Sequence, residues 1–143
     1  MVGGIILKSD VVKRTAYTIF IIGAITTIPA FLTGEGAEEI VEELPGVTHH
    51  FIHEHEEAAE TFALLSYLLG GISLIGLWSN WKGKSLSKAS TYVTAILSLL
   101  VVLMAKNTGT TGGEVRHTEI RENNSVDHTE EDEEHDDAED EED

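Results

Sequence analysis

Three long stretches of this chain carry no charge. Residues 15–33, 61–79 and 89–105 hold no ionisable side chain except one tyrosine each, Tyr17, Tyr67 and Tyr92. A helix on the surface of a soluble domain shows charged positions every turn or so along its wet face. These stretches show none. Their lengths approach the roughly 20 residues that cross a hydrocarbon core of about 30 Å at 1.5 Å per residue. The pattern predicts an all-α fold, a transmembrane helical bundle of three full spans. The chain opens on MVGGIIL, ahead of Lys8 and Asp10. A secretory signal puts positive charge first and the apolar run second. With that order inverted, residues 1–7 are expected to be the last two turns of a partial N-terminal span, the remainder of a fourth helix, the plain alternative being a frayed N-terminus.

Between the spans the pattern changes period. Ala37, Ile40, Val41 and Leu44 recur at helical spacing, opposite Glu38, Glu39, Glu42 and Glu43. This predicts a short amphipathic helix, ended by Pro45-Gly46 and lying across the bundle as a lid. Thr48 is the expected cap of the next helix, and nothing interrupts the pattern from His49 to Ser79. One long helix is expected there, its first turns standing above the membrane. Ala59, Ala63, Ser66, Gly70 and Ser73 form a stripe of small residues along it, of the kind that lets membrane helices approach closely. Thr91, Thr94 and Ser98 are assigned the same task on the last helix. After Lys106, the run Asn107-Thr108-Gly109-Thr110-Thr111-Gly112-Gly113 reads as turn chemistry that ends a helix. It lacks the strand and the Lys-Ser or Lys-Thr of a phosphate loop.

Charge refines this picture. Of the 26 acidic residues, 13 lie between Asp127 and Asp143, and without that segment the net charge falls from -17 to -4. The acidity therefore belongs to a low-complexity tail that cannot bury a core. The division expected is a membrane domain with a His/Glu-rich cap over residues 1–121 and a disordered tail over 122–143. Lys8, Lys13 and Arg14 precede the first full span, and Lys82, Lys84 and Lys88 lie between the second and third, whereas residues 34–60 contain no Lys or Arg. By the positive-inside rule the basic loops face the cytoplasm, and the His-rich loop and acidic tail face outward, to the periplasmic side of a bacterial inner membrane. Trp78 and Trp81 sit where an aromatic belt would anchor. The expected partners are the lipid bilayer and a membrane protein or a second copy of the chain. With no basic stripe to neutralise phosphates, nucleic acid is not expected.

Candidate chemistry rests on histidine. The chain has no cysteine, which removes disulfides and thiolate ligands. All seven histidines, His49, His50, His53, His55, His117, His128 and His135, fall on the outer side of this topology. Successive helical residues turn by about 100°. His55 therefore shares a face with Ala59, Ala63, Ser66 and Gly70, toward the bundle, while His53 points nearly opposite with His49 and His50 beside it. His55 is the candidate inward ligand for haem or a metal, and His117, returning beyond the glycine run, is its candidate companion. His49, His50 and His53 form a candidate surface site for a divalent metal, the plain alternative being a solvated His/Glu helix end. No H-E-x-x-H motif is present. Arg116 and Arg121 are placed to pair with the Glu-rich lid or with cofactor carboxylates, and His128 and His135 to hold divalent cations loosely, the plain alternative being a solubilising tail. No Ser-His-Asp set, nucleotide motif or buried carboxylate pair supports an ordinary enzyme.

Several segments together resemble a known family. Thr33-Gly34-Glu35-Gly36-Ala37-Glu38-Glu39, Leu44-Pro45-Gly46-Val47, His53-Glu54-His55-Glu56-Glu57-Ala58-Ala59 and the closing Thr108-Gly109-Thr110-Thr111-Gly112-Gly113-Glu114-Val115-Arg116-His117 are similar to the bacterial membrane family called domain of unknown function 2231. The resemblance covers about residues 1–121 and implies a four-helix membrane domain. Members open with a helix carrying an Asn-His-x-Pro-like, His-rich segment on the outer side. This chain lacks that segment, and its first seven residues match only where such a helix would end. The family supplies no activity to carry over; its outer-face histidines have the look of cytochrome-b-like ligands. Three readings follow: a small redox or cofactor-binding membrane subunit using haem b or a divalent metal, a cofactor-free membrane scaffold or assembly protein, and a periplasmic divalent-metal handling protein.

Overall fold

A computed structural model describes residues 1–42, 47, 49–83 and 85–117. Four helices follow one another: α1 (Val2–Ile6), α2 (Asp10–Glu42), α3 (His49–Trp81) and α4 (Leu86–Arg116). Among the described residues there is no strand. α2, α3 and α4 are each long and apolar enough to span a membrane, over Asp10–Gly34, His49–Trp81 and Leu86–Val115. α1 is a short turn of helix folded onto the start of α2. Its Gly4 sits so near Lys13 that an added Cβ would lie 2.9 Å from Lys13 Cγ.

α3 is the central helix and packs along both α2 and α4. A share of 33% of its apolar window is buried, against 11% for α2 and 17% for α4, whose remaining surface is left for lipid. Both pairings are antiparallel. Along α2 and α3, Arg14 meets Asn80 at one end and Gly70 lies against Ala24 further on. Along α3 and α4, Asn80 meets Ser87, Ala58 meets Thr108 and His55 meets Thr111. Gly83, with φ 63° in the left-handed region, allows the tight reversal between α3 and α4.

Lipid tails are as apolar as leucine, so burying apolar surface does little to draw these helices together. Contact comes from small residues instead. Ala63, Ser66, Gly70, Ser73 and Gly76 are all buried along one face of α3, as the spacing in the sequence predicts for the first four. A Cβ on Gly70 would collide with Ala24, and one on Gly76 would come 2.5 Å from the Tyr17 ring. Tyr17 is fully buried, and its hydroxyl meets Thr91 Oγ1 at 3.0 Å, tying α2 to α4 behind α3. Ser73 and Thr94 are fully buried too, with no hydrogen-bond partner among the described residues.

Two expectations need correction. Residues 37–42 are not a separate lid helix; they are the last turns of α2, which runs unbroken from Asp10 to Glu42. Glycine in a helix costs only about 1 kcal/mol relative to alanine, so Gly34 and Gly36 do not stop a helix that has no competing turn. Thr33 also ties its hydroxyl back to the Pro29 and Ala30 carbonyls. Of the apolar positions expected to share one face, Ala37 and Val41 border a cavity, whereas Ile40 is exposed. Likewise residues 107–113 do not end a helix. α4 passes through all of them to Arg116, stabilised by hydroxyls of Thr108 and Thr111 and by the fit of Gly112 against α3. Leu44, Pro45-Gly46, the Thr48 cap and the acidic tail lie outside the described residues.

Candidate functional site

His55 is set by the register of α3. The helix opens HHFIHEHEEAAE, and its turn of about 100° per residue separates two faces. Ile52, Ala58 and Ala63 are buried and His55 is half-buried, while His49, His50 and His53 are exposed. The inward direction expected of His55 is the one observed.

The imidazole is held from α4. His55 Nδ1 lies 3.2 Å from Thr111 Oγ1. That hydroxyl also sits 3.2 Å from the carbonyls of Asn107 and Thr108. A threonine hydroxyl has one proton and two lone pairs. A proton directed to a backbone carbonyl one turn earlier leaves Oγ1 only lone pairs for His55, and Nδ1 then donates; a proton directed to Nδ1 reverses the roles, so the contact fits either ring tautomer. Orientation of a ligand histidine through the hydrogen bond on its other nitrogen is how proteins fix the tautomer. Gly112 completes the seat, because a Cβ there would lie 2.9 Å from His55 Cε1 and 3.4 Å from Nε2. One turn below, Thr108 Oγ1 donates to the Ala58 carbonyl at 3.0 Å and fastens α4 to α3.

His55 lines an open-sided cavity of about 610 Å³ bordered by α2, α3 and α4. That volume is in the range of small-molecule sites, roughly 300–1,000 Å³. Its walls are largely apolar: Ala30, Phe31, Ala37 and Val41 from α2, Ile52, Ala59, Phe62 and Ala63 from α3, Val115 from α4. The polar side chains on it are His55, Glu56, Thr26, Thr27 and Thr108.

The other predicted residues are arranged differently. His117 is the exposed C-cap of α4, its backbone N–H bonded to the Gly113 carbonyl at 2.9 Å, and it does not line the cavity. His49, His50 and His53 remain on the surface. His50 Nε2 is 3.6 Å from Glu54, and the two nitrogens of His53 are each 3.5 Å from a carboxylate, Glu56 and Glu57. Among the described residues no three His, Asp or Glu side chains gather in an arrangement that would hold a metal ion. Arg121, His128 and His135 lie outside the described residues, as does the Arg116 side chain.

Thr108, Thr111 and Gly112 were the residues missed. Their signal was present, three small residues on one helical face at spacings of three and one, but it sat inside a glycine-rich run that reads as a stop. The opposite end of the bundle holds a second missed cluster. Arg14 Nε donates to Asn80 Oδ1 at 2.6 Å, and Asn80 Nδ2 lies 3.2 Å from Asp10 Oδ1 and 3.3 Å from Ser87 Oγ. Lys13 meets the same Asp10 oxygen at 3.0 Å. This network joins the ends of all three long helices and is structural.

No family model matches the chain, and no curated protein or solved structure matches it either.

Proposed function

We propose that this integral membrane protein is a small redox subunit that holds a redox-active molecule in the cavity beside His55. The observation that carries the reading is the seating of His55. Nδ1 is engaged by Thr111, Nε2 takes no part in that bond, and the ring borders an apolar space of small-molecule size. A site built this way, apolar with a few placed polar groups, is the usual form of a ligand pocket.

Haem b answers to part of this geometry. His55 would hold the iron through Nε2, with Thr111 orienting the ring and Phe31 and Phe62 beside the macrocycle. Bound there, haem supplies one-electron transfer. A second imidazole on the cavity is not provided by His117, and no described cationic side chain lines the wall to meet the haem carboxylates. The resemblance to the family of unknown function and the placing of the His55 end on the periplasmic side of a bacterial inner membrane belong to the same proposal. The sidedness is supported by Lys13 and Arg14 at the start of α2 and by Lys82 and Lys88 at the α3–α4 turn, all at the end opposite His55.

The test is to purify the full chain and a His55→Ala variant in mild detergent. A reduced-minus-oxidised spectrum is recorded, and the organic extract is assayed for redox-active lipids. A redox-active molecule present with the parent chain and absent from the variant is the expected result. Well-folded protein that carries neither, in both forms, would leave the scaffold reading in its place.

A further inference from the structure

The polar atoms on the cavity wall share one property. Thr26 Oγ1 and Thr27 Oγ1 both donate to the Gly23 carbonyl at 2.9 Å, and Thr108 Oγ1 donates to the Ala58 carbonyl at 3.0 Å. Each hydroxyl has a single proton, so each presents only lone pairs to the cavity. Where the Thr111 proton goes to a helix carbonyl, His55 donates from Nδ1 to that hydroxyl and presents Nε2 as a lone pair. An ionised Glu56 offers only acceptor oxygens. The helical backbone N–H groups along the walls are taken up within the helices. In that tautomer the described side chains on the wall accept hydrogen bonds and none of them has a donor to give.

An apolar site that only accepts selects a molecule that brings its own donors. Resting on the reading that the cavity holds a redox-active molecule, we infer that its ligand is a lipophilic aromatic diol, a quinol, bound in preference to the corresponding quinone. The reduced form carries two O–H donors, one of which meets His55 Nε2. The oxidised form carries two carbonyls, which are acceptors facing acceptors. The rings of Phe31 and Phe62 give the aromatic body an apolar bed. A lipophilic ammonium would also donate, but the carboxylate it needs lies half in water, where an ion pair is worth little. Glu56 meets His53 at 3.5 Å, and its side chain is 45% exposed.

The full chain in nanodiscs is titrated by calorimetry with a short-chain benzoquinol, kept reduced, and separately with the matching benzoquinone. The quinol is expected to bind at least about tenfold more tightly, the ratio set by one or two hydrogen bonds gained against acceptors left unpaired. His55→Gln, which adds an amide donor at the same place, should narrow that ratio by raising quinone affinity. Equal affinities, or a preference for the quinone, would overturn the inference even if binding still depends on His55. A b-type haem signal that vanishes in His55→Ala, with no quinol binding, would overturn it too while leaving the redox reading intact. Absence of haem and of binding by either probe would remove both.

Discussion

The two ends of this bundle are built on opposite plans. At the Asn80 end a buried amide, a guanidinium, a carboxylate and a serine interlock α2, α3 and α4, and Tyr17 reaches across to Thr91 just below. At the His55 end the bonds that join helices run between α3 and α4, and the space toward α2 is a cavity. The comparison teaches where cohesion comes from when the solvent is lipid. Without a hydrophobic drive between helices, contact forms where polar groups pair and where small residues allow approach. One end uses both devices to close. The other makes its interhelix polar bonds between α3 and α4, and the room left beside α2 is lined mostly by apolar side chains.

The comparison is broken most severely at Asn80. Asn80→Leu leaves Arg14, Asp10 and Ser87 without their shared partner and should lower stability by roughly 2–3 kcal/mol, read from unfolding in mixed detergent. His55→Ala should cost under about 1 kcal/mol, since one half-buried ring bonded to one hydroxyl is lost, yet should abolish ligand binding. Equal stability losses would mean that the two ends do not divide closure from function. Next in size is Gly70→Leu, which forces α3 away from Ala24 and should cost about 1–3 kcal/mol by overpacking. Gly23→Leu, where an added side chain meets open space, should change stability by less than about 0.5 kcal/mol. Gly112→Ala should displace the His55 ring and weaken quinol binding about fivefold or more, with a stability change of about 1 kcal/mol. The smallest effect belongs to Ser73→Ala. Removing a buried hydroxyl that has no partner among the described residues should be neutral or stabilising by up to about 1 kcal/mol.

Much of the fold was legible because the membrane imposes a crude rule. A helix must hide its backbone polar groups from lipid, so uncharged runs of the right length mark the spans, and α3 is found over the expected residues with two more at its end. The direction of His55 was legible for a related reason: the turn of about 100° per residue fixes which side chains share the face of Ala63 and Gly70. The ends of α2 and α4 were not legible. Glycine-rich sequence has two uses, a left-handed turn or a close approach, and local sequence does not separate them. Gly112 is there for the imidazole above it, a contact between positions 57 residues apart along the chain. The seat of His55 was hidden by the same ambiguity, because Thr111 acquires a meaning only when α4 continues as helix. His117 was paired with His55 on the premise of a turn after Lys106. A continuous helix instead carries it beyond the cavity. Asn80, between Trp78 and Trp81, is an uncharged amide with no periodic signal, and only antiparallel pairing with α2 and α4 shows its use.

The central claim is that Thr111 fixes the proton of His55 on Nδ1 and leaves Nε2 as a lone pair beside the cavity. Nitrogen-15 spectroscopy of histidine-labelled protein in nanodiscs reads this directly, with the His55 resonances assigned by their loss in His55→Ala. The account predicts a protonated Nδ1 and an unprotonated Nε2, and a mixture of tautomers once Thr111→Val removes the acceptor. A proton found on Nε2 in the parent chain would contradict it, because the cavity would then have a donor at its only imidazole among the described residues and the basis for choosing its ligand would be gone.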